Sequence, residues 1–158
     1  MQKIRKADVN DIETLVAHRR QMFLDINHER YSVNGKDGLE KTDFMYRDYL
    51  TRGIISGQTA AFIVEDEGTI TASGSVSFIE WPSEPLYMSN RICHIHSIYT
   101  VPEYRNRGYA RLVMSEVEKH CKSLGQKVFL LWSSKQGKHL YFSMGYEETP
   151  SCMMKIIE

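Results

Sequence analysis

No stretch of this chain holds the ~20 consecutive apolar residues that a membrane-spanning helix needs. The charged start, Met1 to Lys6, is not followed by the apolar core of a secretory signal. The expectation is therefore a cytoplasmic protein without membrane contact. Net charge is also lacking, because 20 basic and 20 acidic residues cancel. A nucleic-acid-binding domain shows a net positive charge or a basic stripe, so no nucleic-acid partner is expected. Cysteine is scarce: Cys93, Cys121 and Cys152 are odd in number, widely spaced and form no CxxC pair. Reduced thiols are the reading, and no metal site, since zinc ligands come closely spaced. His18, His28, His120 and His139 are too dispersed to change that. Glycine is missing where nucleotide folds require it. No G-x-G-x-x-G follows a strand, and no G-K-[ST] closes a phosphate loop.

What is present suits one globular domain. The chain has 158 residues, of which 42% are hydrophobic and 25% charged, enough to bury a core without staples. Lys3-Ile-Arg5 reads as a first strand. Asp8 is a helix N-cap, and Ile12, Leu15, Val16, Phe23 and Ile26 recur at helical spacing, so a helix is expected from Asp8 to about Ile26. Asn27 to Asp37 is polar and reads as a loop. Leu39 to Leu50 is a second helix, ended by Arg52-Gly53. Ala60 to Glu65 is a strand, and Asp66-Glu-Gly68 turns it. Ile70, Ala72, Gly74, Val76 and Phe78 alternate with threonine and serines, the period of a returning antiparallel strand. Trp81 to Pro85 opens a loop. Ile92 to Thr100 is the next strand, and Ala110, Val113, Val117, Cys121 and Leu124 mark one face of a helix capped by Gly125. Val128 to Trp132 is a short apolar run of the kind buried on both faces. A short helix over Gln136 to Ser143 and a last strand from Cys152 to Ile157 complete the order β-α-α-β-β-β-α-β-α-β. The unit from Ile92 to Trp132 has the size of a right-handed crossover between parallel strands.

The candidate site is the turn between that strand and its helix. Arg105, Arg107 and Gly108 place two cations and a residue without a side chain where the helix begins. N–H groups at a helix start lack intrahelical acceptors, and the dipole favours anions, so the turn suits a phosphate-bearing ligand. A plain solvated cap is built from the same residue types.

The segment Ile98-Tyr-Thr-Val-Pro-Glu-Tyr-Arg-Asn-Arg-Gly-Tyr-Ala110 resembles the acetyl-CoA signature of the GCN5-related N-acetyltransferases, the GNAT superfamily. There an apolar strand end leads into an R/Q-x-x-G-x-G/A turn. Leu140-Tyr-Phe-Ser-Met-Gly-Tyr146 is similar to the family's L-Y-x-x-x-G-F/Y element. The resemblance implies an α/β (α+β) fold: a mixed, mostly antiparallel, twisted sheet with a central parallel strand pair, flanked by helices.

It also implies acetyl-CoA as cosubstrate. Arg105, Asn106, Arg107, Gly108, Tyr109, Ala110 and Arg111 would hold the pyrophosphate through backbone N–H groups and positive charge. Ile98, Tyr99 and Thr100 would lie along pantetheine in a slot between splayed strands, with an N–H near Ile98 polarising the thioester carbonyl. Tyr141 would give a proton to the leaving thiolate. Ser134 stands where relatives often place a polar contact to CoA, commonly an asparagine.

Many relatives carry a glutamate base where this chain has His96. His96, His94 on the same strand face, or a chain of waters is left to take the amine's proton. The acceptor pocket is expected among Asp25, Glu29, Tyr31, Asp37, Asp43, Trp81 and Glu84, where carboxylates would draw a cationic amine. The function implied is direct acetyl transfer to the primary amine of a small molecule. The alternatives are an amine of a protein or peptide, and a non-catalytic acyl-CoA sensor. A homodimer is common among such proteins, but no residue here marks an interface.

Overall fold

The computed structural model describes residues 2–31, 35–86, 88–149 and 153–156. Its elements are β1 (Lys3–Lys6), α1 (Ile12–Tyr31), α2 (Gly35–Ser56), β2 (Thr59–Asp66), β3 (Thr69–Glu80), β4 (Arg91–Thr100), α3 (Tyr109–Ser123), β5 (Phe129–Leu130) and α4 (Lys138–Ser143). Short 3-10 turns at Val9–Asp11 and Pro102–Tyr104 precede α1 and α3. The strands form one sheet in the order β1-β2-β3-β4-β5, antiparallel except for the parallel β4–β5 pair. This is the mixed, mostly antiparallel sheet flanked by helices that the resemblance implied, but among the described strands the parallel pair lies at the edge instead of the centre, and β5 is half-buried instead of covered on both faces. No helix among the described residues is long and apolar enough to cross a membrane.

The sheet is covered on both faces because its middle strands are apolar on both. Ala60, Phe62 and Val64 of β2 pack with Val113, Met114 and Val117 of α3, while Ala61 and Ile63 face Leu15 and Val16 of α1 and Leu50 of α2. In β3 the period of two sorts residues between the two helical layers. Ala72 and Val76 join the α3 core. Thr71, Ser73, Ser75 and Ser77 are buried as well, on the face that meets α1 and α2. Buried hydroxyls need partners, and most have them: Ser73 bonds the His18 ring at 2.8 Å, and Ser77 bonds Thr59 at 3.0 Å. The entry to α1 is fixed by a capping box between Asp8 and Asp11. Asp11 also takes two bonds from Arg5, at 2.7 and 2.8 Å, which hold its carboxyl below the usual range.

Three further expectations need correction. The segment Asn27–Asp37 is not a loop through its length, because α1 continues to Tyr31 and α2 starts at Gly35; residues 32–34 lie outside the description. A polar, solvated helix end shows no apolar period, so the pattern stopped where the apolar residues stopped. Gly53 does not end α2, which runs on to Ser56. A Cβ there would stand 2.4 Å from Thr59 Oγ1, so the glycine lets the start of β2 approach the helix. The last strand is absent from Met153–Ile156, and the rest of that segment lies outside the described residues.

The feature that positions the site is a bulge in β4. Ser73 pairs with Tyr99, but Ser75 pairs with His96, so one extra residue sits opposite Gly74. Ser97 absorbs it with φ 57, left-handed for a residue that is not glycine. As a result His96 and Ser97 both face α1 and α2, while Ile98 turns to the α3 core. The Ile98 side chain occupies the space over Gly74: a Cβ there would meet Ile98 Cδ1 at 2.3 Å and Val113 Cγ1 at 2.6 Å. Gly74→Ala is expected to cost about 1–3 kcal/mol, as overpacking does, read from urea midpoints; an unchanged midpoint would refute the packing argument.

Candidate active site

The β4–β5 pairing is brief. Cys93 and His94 pair with Phe129 and Leu130, Cys93 N donates to the Val128 carbonyl at 2.8 Å, and beyond this no described strand covers that edge of β4. On the other edge Val101 N donates to the Thr71 carbonyl at 2.9 Å. Alternation then directs the backbone groups of Ile98 and Thr100 into the gap on the β5 side. The gap opens into a cleft of about 680 Å³ lined by residues of α1, α2, β4, the chain after β5, and α4. His96, Ile98, Ser134 and Tyr141 meet there, with His94, Trp132, Tyr46, Tyr49 and Arg19.

The expected phosphate turn lies at the start of α3. Asn106 and Gly108 both have positive φ, 62 and 83, on either side of Arg107. Such alternation turns successive N–H groups toward one concavity. The first helical bond from this end runs from Leu112 N to the Gly108 carbonyl at 3.0 Å, so the N–H groups of Gly108, Tyr109, Ala110 and Arg111 have no helical acceptor. A 15-residue helix stands behind them. Orphan donors, a left-handed glycine and a helix dipole suit a pyrophosphate.

Several side chains of this turn do something other than expected. Arg105 donates to the Thr100 carbonyl at 3.0 Å, lies over the Tyr99 ring and pairs with Asp25 of α1. Its charge is neutralised there, so it braces the strand end instead of adding free charge. Tyr109 is buried, and its hydroxyl donates to Asp66 at 2.7 Å, which ties α3 to the β2–β3 turn. Tyr99 is buried against the His18 ring, 5.0 Å between centroids. Arg107 stacks over Tyr104, and Arg111 reaches Ser143 of α4. The Ser134 hydroxyl accepts from Gly137 N at 3.1 Å and caps the turn that carries Tyr141.

Tyr141 packs over Gly137 and against Tyr146, with ring centroids 6.0 Å apart. Burial pushes its hydroxyl up to about 12, so it is a neutral donor at physiological pH.

His96 does not suit the role of a base. Its Nδ1 lies 3.1 Å from Ser97 Oγ and its Nε2 2.9 Å from Ser77 Oγ. Ser97 Oγ already accepts from Arg19 Nη1 at 2.7 Å and from Tyr46 at 3.0 Å. Its own proton therefore goes to His96 Nδ1, which fixes the tautomer with hydrogen on Nε2. A second ring proton would find no acceptor. Burial first, then the neighbouring His94 and Arg19, depress this histidine to about 3. His94 is also depressed, mainly by burial, and stands edge-on to Trp132 with centroids 4.8 Å apart.

None of the expected carboxylates with a described side chain lines the cleft. Asp25 is held by Arg105 and Gln21, and Asp43 by Arg20 at 2.7 Å. Asp37 and Glu84 do not line this cleft, nor does Trp81, and the side chains of Glu29 and Tyr31 lie outside the description. The sequence reading missed Arg19. It follows Ile12, Leu15 and Val16 and precedes Phe23 at the spacing of the apolar stripe. A cation on that stripe was the available signal.

A strand edge opened by a bulge, a nest of N–H groups at a helix start, and a phenol across the cleft have the geometry that a pantetheine-bearing acyl donor would need. The match of residues 20–146 to the Acetyltransferase (GNAT) family places the chain in that family. It is an acetyltransferase of the kind that uses acetyl-CoA. Solved structures share the fold. A predicted acetyltransferase from Clostridium acetobutylicum, crystallised with acetyl-CoA, is 24% identical with a TM-score of 0.87, covering 99% of this chain and 96% of its own. A GCN5-related N-acetyltransferase from Ralstonia eutropha is 24% identical at 0.86, covering 99% of each chain. An aminoglycoside N-acetyltransferase in complex with CoA is 16% identical at 0.75, covering 99% and 95%. No curated protein matches the chain.

Proposed function

We propose that this protein transfers the acetyl group of acetyl-CoA directly to a primary amine of a small molecule. The observation that carries the reading is a single cleft that Ile98 of β4 and Tyr141 of α4 both line, with the N–H nest at the start of α3 tied to α4 through Arg111 and Ser143. Acetyl-CoA supplies the acyl group as a thioester. The N–H groups from Arg107 to Arg111 hold the pyrophosphate. The Ile98 N–H, aimed into the gap, holds the carbonyl oxygen and stabilises the charge it gains as the amine adds. The C–N bond forms, the C–S bond breaks, and Tyr141 gives its phenolic proton to sulfur and regains one from solvent after CoA leaves. The amine's proton passes to water in the cleft beside His94. Both described cysteines are buried in the α3 core, which supports direct transfer over a cysteine-bound acetyl group.

The size of the cleft favours a small acceptor, since pantetheine shares the same space. Enzymes of this fold named for aminoglycoside and glucosamine-6-phosphate acetylation support the same class. Free CoA release, followed with a thiol reagent across a panel of small amines and peptides, tests the reading. Small amines are expected to drive release above the rate of hydrolysis. Faster turnover of peptides would replace the acceptor, and tight acetyl-CoA binding with no turnover of any amine would leave a sensor.

A further inference from the structure

The charge of the acceptor side differs from what a polycationic amine requires. Among the described residues, Arg19 is the sole lysine, arginine, aspartate or glutamate that lines the cleft. The carboxylates of α1 and α2 near it are matched by other cations: Glu13 by Arg47, Asp25 by Arg105, Asp43 by Arg20 and Asp48 by Arg52. Arg19 has no carboxylate partner among the described residues. Its guanidinium lies between the rings of Phe23 and Tyr46, 4.7 and 4.4 Å from their centroids. Nη1 donates to Ser97 Oγ at 2.7 Å, and Nε is buried with no acceptor. Stacking and one hydrogen bond hold the group in place, and no carboxylate among the described residues offsets its charge. A half-buried cation that lines a cleft without a counter-charge is a place where an anion gains more than it would in open water.

We propose that the acceptor is an amine that also carries an anionic group, a carboxylate or a phosphate, which Arg19 binds. This rests on the transferase reading above and names the substrate class of the same site. A guanidinium fork matches both anions in two-point geometry. The surrounding Met22, Phe23, Ile26, Tyr49 and Trp132 suit an apolar frame between amine and anion. Arg19 also disfavours ammonium over free amine near it, which aids loss of the proton that must leave before attack.

The test uses matched pairs that differ by the anion: L-phenylalanine against phenethylamine, and O-phosphoethanolamine against ethanolamine. Binding to the CoA-loaded protein is measured by calorimetry, and kcat/KM by CoA release. The anionic member of at least one pair is expected to bind roughly tenfold or more tightly, and the pair that shows it identifies the anion. The advantage should vanish in Arg19→Gln, persist in part in Arg19→Lys and invert in Arg19→Glu. Equal binding within both pairs, or an advantage that survives Arg19→Gln, overturns the proposal. If Arg19→Gln does not fold, the salt dependence of the wild-type preference decides. An advantage that shrinks with ionic strength supports the pairing, and one indifferent to salt overturns it. The calorimetric preference stands or falls without turnover, so failure of the transferase reading is seen separately, as absence of CoA release with every amine.

Discussion

Tyr141→Phe is expected to lower kcat about 100-fold while acetyl-CoA binding stays near the wild-type value. The ring packs over Gly137 and against Tyr146, and phenylalanine keeps both contacts, so the loss is confined to the hydroxyl. A thiol in water has a pKa of about 8.5, well below the value of about 12 to which burial drives Tyr141. Full proton transfer in water would run uphill. Inside the cleft the departing sulfur is desolvated as well, which raises its basicity and narrows the gap. The thiolate is a tolerable leaving group even without help, so the low end of general-acid effects applies. The comparison is single-turnover acetyl transfer by wild type and variant from pH 6 to 9, and the deficit should hold throughout. A loss of less than about threefold would mean that Tyr141 only packs and the thiolate leaves unprotonated.

The second large effect is on stability in mild acid. His96 is depressed to about 3 and His18 to about 4, both chiefly by burial. Both folded values lie below the unfolded value near 6.5, so the unfolded chain binds these protons first. Their contribution is intact above about pH 6.5 and is lost as pH falls toward 4. At pH 5 the two together remove about 3 kcal/mol relative to pH 7.5, after a discount for the part of the His96 ring that meets the cleft. His94 and His120, also depressed by burial, act in the same direction. The lowered carboxyls of Asp11, Glu13 and Asp25 lie at or below the ordinary carboxylate range and do not offset this window. Urea unfolding at pH 7.5, 6 and 5 measures the effect, and His18→Gln should reduce the slope by about one proton. A stability that is flat down to pH 5 would show that neither ring is buried in its neutral form.

The sequence was most readable where a local rule fixes structure. The β2–β3 hairpin followed from a period of two and a glycine turn, α3 from its apolar face, and the phosphate turn from Arg105 to Ala110. Less of the acceptor side could be read, because the signals there belong to tertiary contacts. The alternation in β3 marks a strand but does not say what lies over its serines, which α1 and α2 cover. His96 looks like a base until the hydroxyls of Ser77 and Ser97, brought from two strand positions, use both of its nitrogens. Arg105 looks like a phosphate ligand until Asp25, distant in sequence, reaches it. The polar ends of α1 and α2 carry no period at all. Ser97 gives no hint of its left-handed backbone, since serine is seldom chosen for that conformation.

The slip at Ser97 acts like a dislocation in a crystal: order is regular on both sides of it but shifted in phase. Drawing Ser97 into the regular period, with no residue added or removed, would restore unbroken alternation to β4 and make the strand more ideal. It would also exchange the two faces for all that follows. Ile98 would leave the space over Gly74 and enter the polar layer beneath α1, and Tyr99 would be driven into the α3 core. The outward-facing N–H groups at the gap would turn toward β3. In this sheet the most regular β4 would thus close the gap proposed for the acyl donor, and a single residue of counted misfit keeps it open.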